Sequence, residues 1–173
     1  MPERQSQPFV GAAFARTMAA YNAEMNRRLY AAASRLSDAE RRRERGAFWG
    51  SLHGMFCHLL WGDRMWMSRF DGWAKPAHGI QESGGLIGPF DELTRERFAA
   101  DERILAWAAR VGDEWLAGEL EWFSGALGRV VSKPKALLVV HFFNHQTHHR
   151  GQAHALITAA GERTGDTDLF AIV

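Results

Sequence analysis

The sequence predicts an all-α fold with one short β-hairpin before the last long helix. Three observations support this fold class. Four long stretches repeat apolar residues every three or four positions, as amphipathic helices do. Capping residues, glycines and prolines mark the ends of these stretches. One pair of short segments, residues 120–123 and 129–131, is better suited to strands joined by a glycine-containing turn.

Length and composition restrict the class of protein. At 173 residues the chain suits one domain, 1–173, whose first eight residues we expect to form a flexible arm. The net charge of +1 argues against a binding surface for nucleic acid or an anionic membrane. The single cysteine, Cys57, excludes an internal disulfide framework and fits a reducing compartment. No secretory leader or membrane-spanning stretch is evident, so we expect a cytoplasmic protein.

The first predicted helix runs from Phe9 to about Leu36. Its apolar side recurs at steps of three and four residues, at Phe14, Met18, Tyr21, Met25 and Leu29. A short second helix is predicted from the capping-box spacing of Ser37 and Glu40. It carries four arginines with glutamates among them, which we interpret as a solvated face.

The next long helix is predicted from Phe48 to Phe70. It is apolar on nearly all sides, so we expect burial from several directions. His58 lies at its centre and therefore needs a polar partner. His53 is about 140° away from His58 round the helix, so the two rings are not expected to contact the same ligand or partner. Asp63 either orients an imidazole or pairs with an arginine, and the sequence favours neither.

Residues 71–90 contain five glycines and two prolines and show no period. Such a long connection is uncommon unless it covers a site or is mobile, and we expect His78 within it to be exposed. A third long helix is predicted from Asp91 to about Gly112, and residues 113–118 suit one further turn. The residues expected on the buried side of this third long helix are Leu93, Phe98, Ile104, Leu105 and Trp107.

The last long helix is predicted to start at Ser132–Pro134 and to end at about Ala160, where Gly161 stops it. It contains five of the eight histidines. A four-three alternation from Leu138 places on one inward face Phe142, His145, His149, Gln152 and Leu156. We expect the remaining tail to be a loop and a short apolar segment that docks on the helices.

Two imidazoles one turn apart on an inward face need compensation. A single buried histidine usually forms hydrogen bonds within the core. A pair at positions i and i+4 can instead share a metal with a ligand from elsewhere, at roughly 2.0–2.1 Å from each nitrogen. The neighbouring stripe of His141, His145, His148 and Gln152 obeys the same alternation, so the residues alone leave both registers open.

Several stretches resemble the DinB family of four-helix-bundle metalloproteins. They are YNAEMNRRLY, SLHGMFCHLLWGDRMWMSRF, HFFNHQTHHRGQAHALI and the closing GDTDLF. The resemblance extends from about Tyr21 to Phe170 and is weakest in the glycine-rich loop. The HLL…DR.W helix followed by a later HxxxHRGQ motif is specific as a pair, whereas each motif alone is weak.

The resemblance implies an up-down-down-up four-helix bundle and a divalent metal held by three imidazoles. Position by position, the implied ligands are His58, His145 and His149, which favours this register over His141 and His148. The expected ion is zinc or nickel, with iron, manganese and cobalt as alternatives. Family members are typically dimeric, so the resemblance also implies a homodimer.

Three imidazole ligands leave at least one coordination position free, which is typical of a reactive metal centre. Our first hypothesis is a metal-dependent enzyme, because the family includes thiol-dependent S-transferases; a hydrolase is the related option. The expected partner is a small-molecule substrate with a low-molecular-weight thiol. The alternative is a non-catalytic module, induced by stress or DNA damage, that the metal only stabilises. No Ser-His-Asp spacing or carboxylate pair indicates a catalytic residue.

Overall fold

The computed structural model describes residues 8–125 and 127–173, and it is mostly helical with one two-stranded antiparallel sheet. The long helices are α1 (Ala12–Ser34), α3 (Leu52–Phe70), α4 (Phe90–Arg110) and α6 (Lys135–Ala159). The short helices are α2 (Asp38–Arg42), α5 (Asp113–Leu116) and α7 (Leu169–Ile172), and the strands are β1 (Glu119–Ser124) and β2 (Arg129–Pro134). Residues 1–7 of the predicted arm lie outside the described residues.

The four long helices bury a common apolar core. Helix α1 packs against α4 and α6, and α3 packs against the same two helices. Large side chains from all four meet between them, each with 3% or less of its surface exposed: Met25, Leu29, Met55, Ile104 and Phe142. Burying apolar side chains of this size is the main source of stability in such a fold.

Helix α3 begins four residues later than the sequence predicted. Ser51 is its N-cap, and the Ser51 hydroxyl accepts a hydrogen bond from the Gly54 amide at 3.1 Å. Gly50 just before it has φ +75°, a left-handed conformation that a continuous helix excludes. Phe48 is therefore outside the helix and 77% exposed. The expected burial of α3 is confirmed, since every residue from Leu52 to Asp63 is buried.

The glycine-rich connection contains an ordered element that the sequence did not predict. Residues Ile80–Gly85 form a 3₁₀ helix that packs on α3. Ser83 in this turn is completely buried, whereas His78 before it is exposed as expected. The connection therefore covers the part of α3 that carries His58.

The predicted hairpin is observed, and α6 follows it directly. Strands β1 and β2 pair from Glu119–Pro134 to Ser124–Arg129. The predicted helix start was early, because Ser132 lies in β2 and donates a hydrogen bond to Glu119. Helix α6 ends at Ala159, close to the predicted end, and Gly161 just beyond it has φ +90°. The hairpin thus lies beside the start of the histidine helix.

Two apolar residues are more exposed than predicted. Phe98 on α4 is 38% exposed, so it borders the core. Phe170 in α7 is 86% exposed, and the tail instead docks on α1 through polar contacts, such as the hydrogen bond from the Tyr21 hydroxyl to the Thr167 carbonyl oxygen at 2.7 Å. Within residues 8–125 and 127–173, every helix falls short of the length and hydropathy needed to cross a bilayer.

Candidate metal centre

His58 is held on α3 between aromatic and polar neighbours. Its ring is 2% exposed and stacks on the indole of Trp49, with centroids 4.0 Å apart and planes 20° apart. On its other side Nδ1 lies 2.8 Å from the Ser83 hydroxyl. The ring is therefore fixed by a residue before α3 and by the 3₁₀ helix after it.

His145 and His149 approach His58 from α6. Their rings lie one turn apart with centroids separated by 4.5 Å, and each ring is near that of His58. One nitrogen from each of the three imidazoles lies within 4.8 Å of the others. The Nε2 atoms of His58 and His145 are 3.3 Å apart. Two separate helices thus bring three ring nitrogens to one point.

The hydrogen bonds of Ser83 fix which nitrogen of His58 carries the proton. The Ser83 hydroxyl has one hydrogen, and it donates that hydrogen to the Ile80 carbonyl oxygen at 2.6 Å. It must therefore accept from Nδ1–H of His58. This arrangement leaves the lone pair of Nε2 directed at the other two imidazoles, as a metal ligand requires.

Gln152 orients His149 in a similar way. Its Oε1 atom lies 2.7 Å from Nδ1 of His149. An amide oxygen only accepts hydrogen bonds, so Nδ1 of His149 donates and Nε2 keeps its lone pair. Gln152 belongs to the inward face predicted from the alternation, and its role is to hold an imidazole.

All three imidazoles are neutral at ordinary pH. Burial, together with the neighbouring imidazoles, lowers the pKa of His58 to about 3. Burial lowers the pKa of His145 to about 3, with smaller contributions from His149, His141 and His148. Burial also lowers the pKa of His149, although the hydrogen bond to Gln152 opposes the change. A proton therefore does not compete strongly for these nitrogens near pH 7.

The donor set fits a divalent ion. Two ligand nitrogens at 2.0–2.1 Å from one tetrahedral ion lie about 3.3 Å apart, which is the separation of the His58 and His145 Nε2 atoms. Without an ion, two lone pairs this close are unfavourable unless one nitrogen is protonated. The outer hydrogen bonds from His58 and His149 are the kind that accompanies metal-bound imidazoles.

The other histidines are placed differently. His53 donates a hydrogen bond from Nε2 to the Ile87 carbonyl oxygen at 2.8 Å, away from the three-histidine centre, as its position round α3 predicted. His148 is exposed, and His154 contacts the Thr164 hydroxyl. His141 is outside the three-nitrogen group, although it lines the same cavity as His145.

Comparison with known protein families shows which family this chain belongs to. Residues 7–172, nearly the whole chain, match the DinB family. The chain belongs to this family. No curated protein sequence and no solved structure shows significant similarity to it.

In this DinB-family chain the centre opens into a cavity of about 290 Å³. The cavity lies between α3, α6 and the hairpin, and β1 supplies Trp122 as one wall. His58 and His145 line it together with Trp61, Trp66 and Arg69. A small molecule in the cavity would thus contact two of the three imidazoles directly.

Asp63 pairs with an arginine rather than with an imidazole. Its Oδ2 atom is 2.5 Å from Nη1 of Arg97, and both side chains are 1% exposed or less. Burial raises the pKa of Asp63 to about 6, with the Arg97 charge opposing the shift. Burial alone would lower the pKa of Arg97, but the charges of Asp101 and Asp63 raise it. We conclude that this pair holds its charges together inside the core.

The ion pair is part of a larger polar network that sequence reasoning missed. Asp101 contacts Arg97 at 2.7 Å and accepts a hydrogen bond from Asn26 at 2.9 Å. Asn22 in turn accepts a hydrogen bond from Arg150. The network joins all four long helices, and its two arginines balance its two aspartates. The four-residue spacing of Arg97 and Asp101 on the inner side of α4 was the available signal.

Proposed function

We propose that the chain is a metal-dependent enzyme whose divalent ion is bound by His58, His145 and His149. The observation that carries this proposal is the meeting of three neutral imidazoles, two of which line a cavity large enough for a small molecule. Three protein ligands leave a position free, whereas a purely structural zinc site usually has four. We also infer that the four long helices form the up-down-down-up bundle, because each packs against two of the others.

The residues of the chain hold and shield this centre. Ser83 keeps the proton of His58 on Nδ1, and Gln152 does the same for His149. The indole of Trp49 covers one face of His58. When bound, a divalent ion lowers the pKa of an adjacent thiol or water and stabilises negative charge on a reacting oxygen. Zinc or nickel is the proposed ion, because imidazole nitrogens suit both.

We propose thiol-dependent group transfer as the reaction, with hydrolysis as the related option. Cys57 does not supply the nucleophile, because its thiol is buried, lies 3.4 Å from the Ile87 carbonyl oxygen and has a pKa raised by burial. An external low-molecular-weight thiol would fill this role. Its sulfur forms a bond to an electrophilic carbon, the leaving group departs with its electron pair, and the thiol proton passes to solvent.

The test compares metal-loaded and chelated protein. N-Acetylcysteine and 1-chloro-2,4-dinitrobenzene serve as thiol and electrophile, and the rate is followed over the uncatalysed reaction. We expect catalysis in the loaded protein that chelation removes and that zinc or nickel restores. Equal rates of this reaction with metal-loaded and chelated protein would contradict the proposed metal-dependent activity.

The competing outcome is a module in which the metal only stabilises the fold. In that case chelation would lower the melting temperature strongly, since a ligand that binds only the folded state stabilises it. N-Acetylcysteine would then change neither the rate nor the ligand-field spectrum of the cobalt-substituted protein. A change of that spectrum on adding the thiol is the result that the proposed enzyme requires.

A further inference from the structure

Arg69 lines the cavity that leads to the metal centre. It shares the cavity with His58, His145 and the indoles of Trp61, Trp66 and Trp122. Among the described residues that line this space none is acidic. At about 290 Å³ the cavity is at the small end of the range for small-molecule sites.

The charge of Arg69 is uncompensated in the described part of the chain. Burial lowers the pKa of Arg69, and no acidic neighbour opposes the shift. The other arginines of this region differ in this respect, since Arg64 on the same helix pairs with Glu96 and Arg97 pairs with two aspartates. A half-buried cation without a counter-charge is costly, and an anionic ligand would remove that cost.

Two tryptophans hold the guanidinium in place. Its central carbon lies 4.6 Å from the ring centroid of Trp66 and 5.6 Å from that of Trp122. Stacking of this kind uses the faces of the guanidinium and leaves the N–H groups at its edge available. Within the described residues these N–H groups make no hydrogen bond to another side chain. Arg69 is therefore prepared for a planar anion that accepts two hydrogen bonds.

We propose that Arg69 recognises the substrate of this centre through a carboxylate. The substrate is a small molecule with a planar apolar body, which lies among Trp61, Trp66 and Trp122 while its anionic end pairs with Arg69. The position of the reactive end near the histidines rests on the proposed function. Carboxylate binding itself depends only on the cavity and holds for the metal-free protein.

Benzoate and benzamide are suitable probes because they share shape and size and differ in charge. Binding to metal-stripped protein is measured by calorimetry and by quenching of tryptophan fluorescence. We expect benzoate to bind about tenfold or more tightly than benzamide, as a charged hydrogen bond predicts. Arg69→Gln should abolish this preference, and Arg69→Lys should restore part of it. Arg64→Gln is the matched control, because it removes the same charge from α3 outside the cavity and should leave the preference unchanged.

Two results would overturn the proposal. One is that the unmutated protein binds benzoate no more tightly than benzamide, or does not bind benzoate at all. This comparison uses only the unmutated protein, so it decides the matter even if Arg69→Gln does not fold. The other is folded Arg69→Gln protein that binds benzoate as well as the unmutated chain does. The metal content of the same proteins, measured after reloading, tests the metal centre separately. Arg69→Gln should bind as much metal as the unmutated chain, so a failure of carboxylate recognition can be distinguished from a failure of the metal centre.

Discussion

The Ser83 hydroxyl lies 2.8 Å from Nδ1 of His58 and donates its own hydrogen to the Ile80 carbonyl oxygen. These two hydrogen bonds connect a backbone carbonyl of the 3₁₀ helix to the His58 imidazole on α3. They fix the tautomer of His58 and direct Nε2 at His145. The glycine-rich connection therefore takes part in building the candidate centre.

Replacing Ser83 should weaken metal binding without unfolding the chain. In Ser83→Ala the Nδ1–H group of His58 loses its acceptor and the ring loses its fixed orientation. We expect zinc affinity to fall about 10- to 100-fold, as is usual when a supporting hydrogen bond of a ligand histidine is removed. Competition with a chromogenic chelator measures the affinity. Ser68→Ala is the control, because that hydroxyl donates its hydrogen bond to the Met65 carbonyl oxygen on the same helix. Equal losses of zinc affinity in both variants would argue against this role of Ser83.

The two histidines of α3 should behave differently. His58→Ala removes one of the three converging nitrogens, so we expect loss of bound metal with retention of helical circular dichroism. His53→Ala should keep the metal, because His53 contacts the Ile87 carbonyl oxygen instead. Elemental analysis of purified protein gives the stoichiometry. An unchanged metal content in His58→Ala would show that the ligand was wrongly assigned.

Gly62 offers a way to disturb the centre while favouring the helix. A Cβ atom at this position would lie 2.9 Å from Cε1 of His145, so that ring would have to move. Gly62→Ala should lower metal affinity at least about tenfold, judged from the effect of disturbed ligand orientation. Its metal-free stability should stay level or rise by up to about 1 kcal/mol, because alanine favours a helix interior.

Gly151→Ala is the matched control for this variant. Gly151 lies on α6, and a Cβ atom there would meet nothing within 4 Å. The substitution should therefore give a similar gain in helix stability with unchanged metal affinity. Chelator competition and thermal melting separate the two effects. If Gly62→Ala bound metal as tightly as Gly151→Ala, His145 would not be held where the centre needs it.

The metal-free protein should lose stability in acid. In the folded chain the pKa of His58 and that of His145 are about 3, whereas both start from 6.5 in the unfolded chain. Between these values the unfolded state binds more protons, so stability falls as the pH drops below about 6.5 and continues to fall towards about 3. From pH 7.5 to pH 5 we expect each of these two rings to cost on the order of 2 kcal/mol of stability.

The acid effect is isolated by comparison with His58→Ala/His145→Ala. Asp63 acts in the opposite direction, because its pKa is about 6 when folded and 3.8 before burial, so its protonation stabilises the fold in that interval. This contribution is common to both proteins and cancels in the difference. Urea unfolding at the two pH values gives the free energies. Identical pH dependence of the two proteins would mean that the imidazoles are not buried as neutral groups.

Periodicity predicted the long helices but left two faces of α6 open, and the resemblance to the DinB motifs favoured the face that carries His145 and His149. The spacing of residues on one helix also placed His53 away from His58. These inferences succeed because side chains three and four residues apart share a helix face whatever the partner helix is. The hairpin and the end of α6 at Gly161 followed from turn residues in the same way.

Other features depend on contacts between distant segments, which no local pattern specifies. Trp49 stacks on His58 because Gly50 and Ser51 end the preceding turn and start α3 late, whereas the sequence had placed Trp49 inside that helix. Ser83 was hidden in a segment without periodicity. The choice for Asp63 stayed open because its partner Arg97 lies 34 residues away on another helix.

The central claim is that His58, His145 and His149 bind one ion. Crystals of protein purified without added metal, then soaked in zinc or nickel, allow anomalous difference maps on both sides of the corresponding absorption edge. We predict one peak within bonding distance of all three imidazoles, with Nδ1 of His58 still against Ser83. A map without a peak at saturating metal, or with a peak at other residues, would contradict the claim.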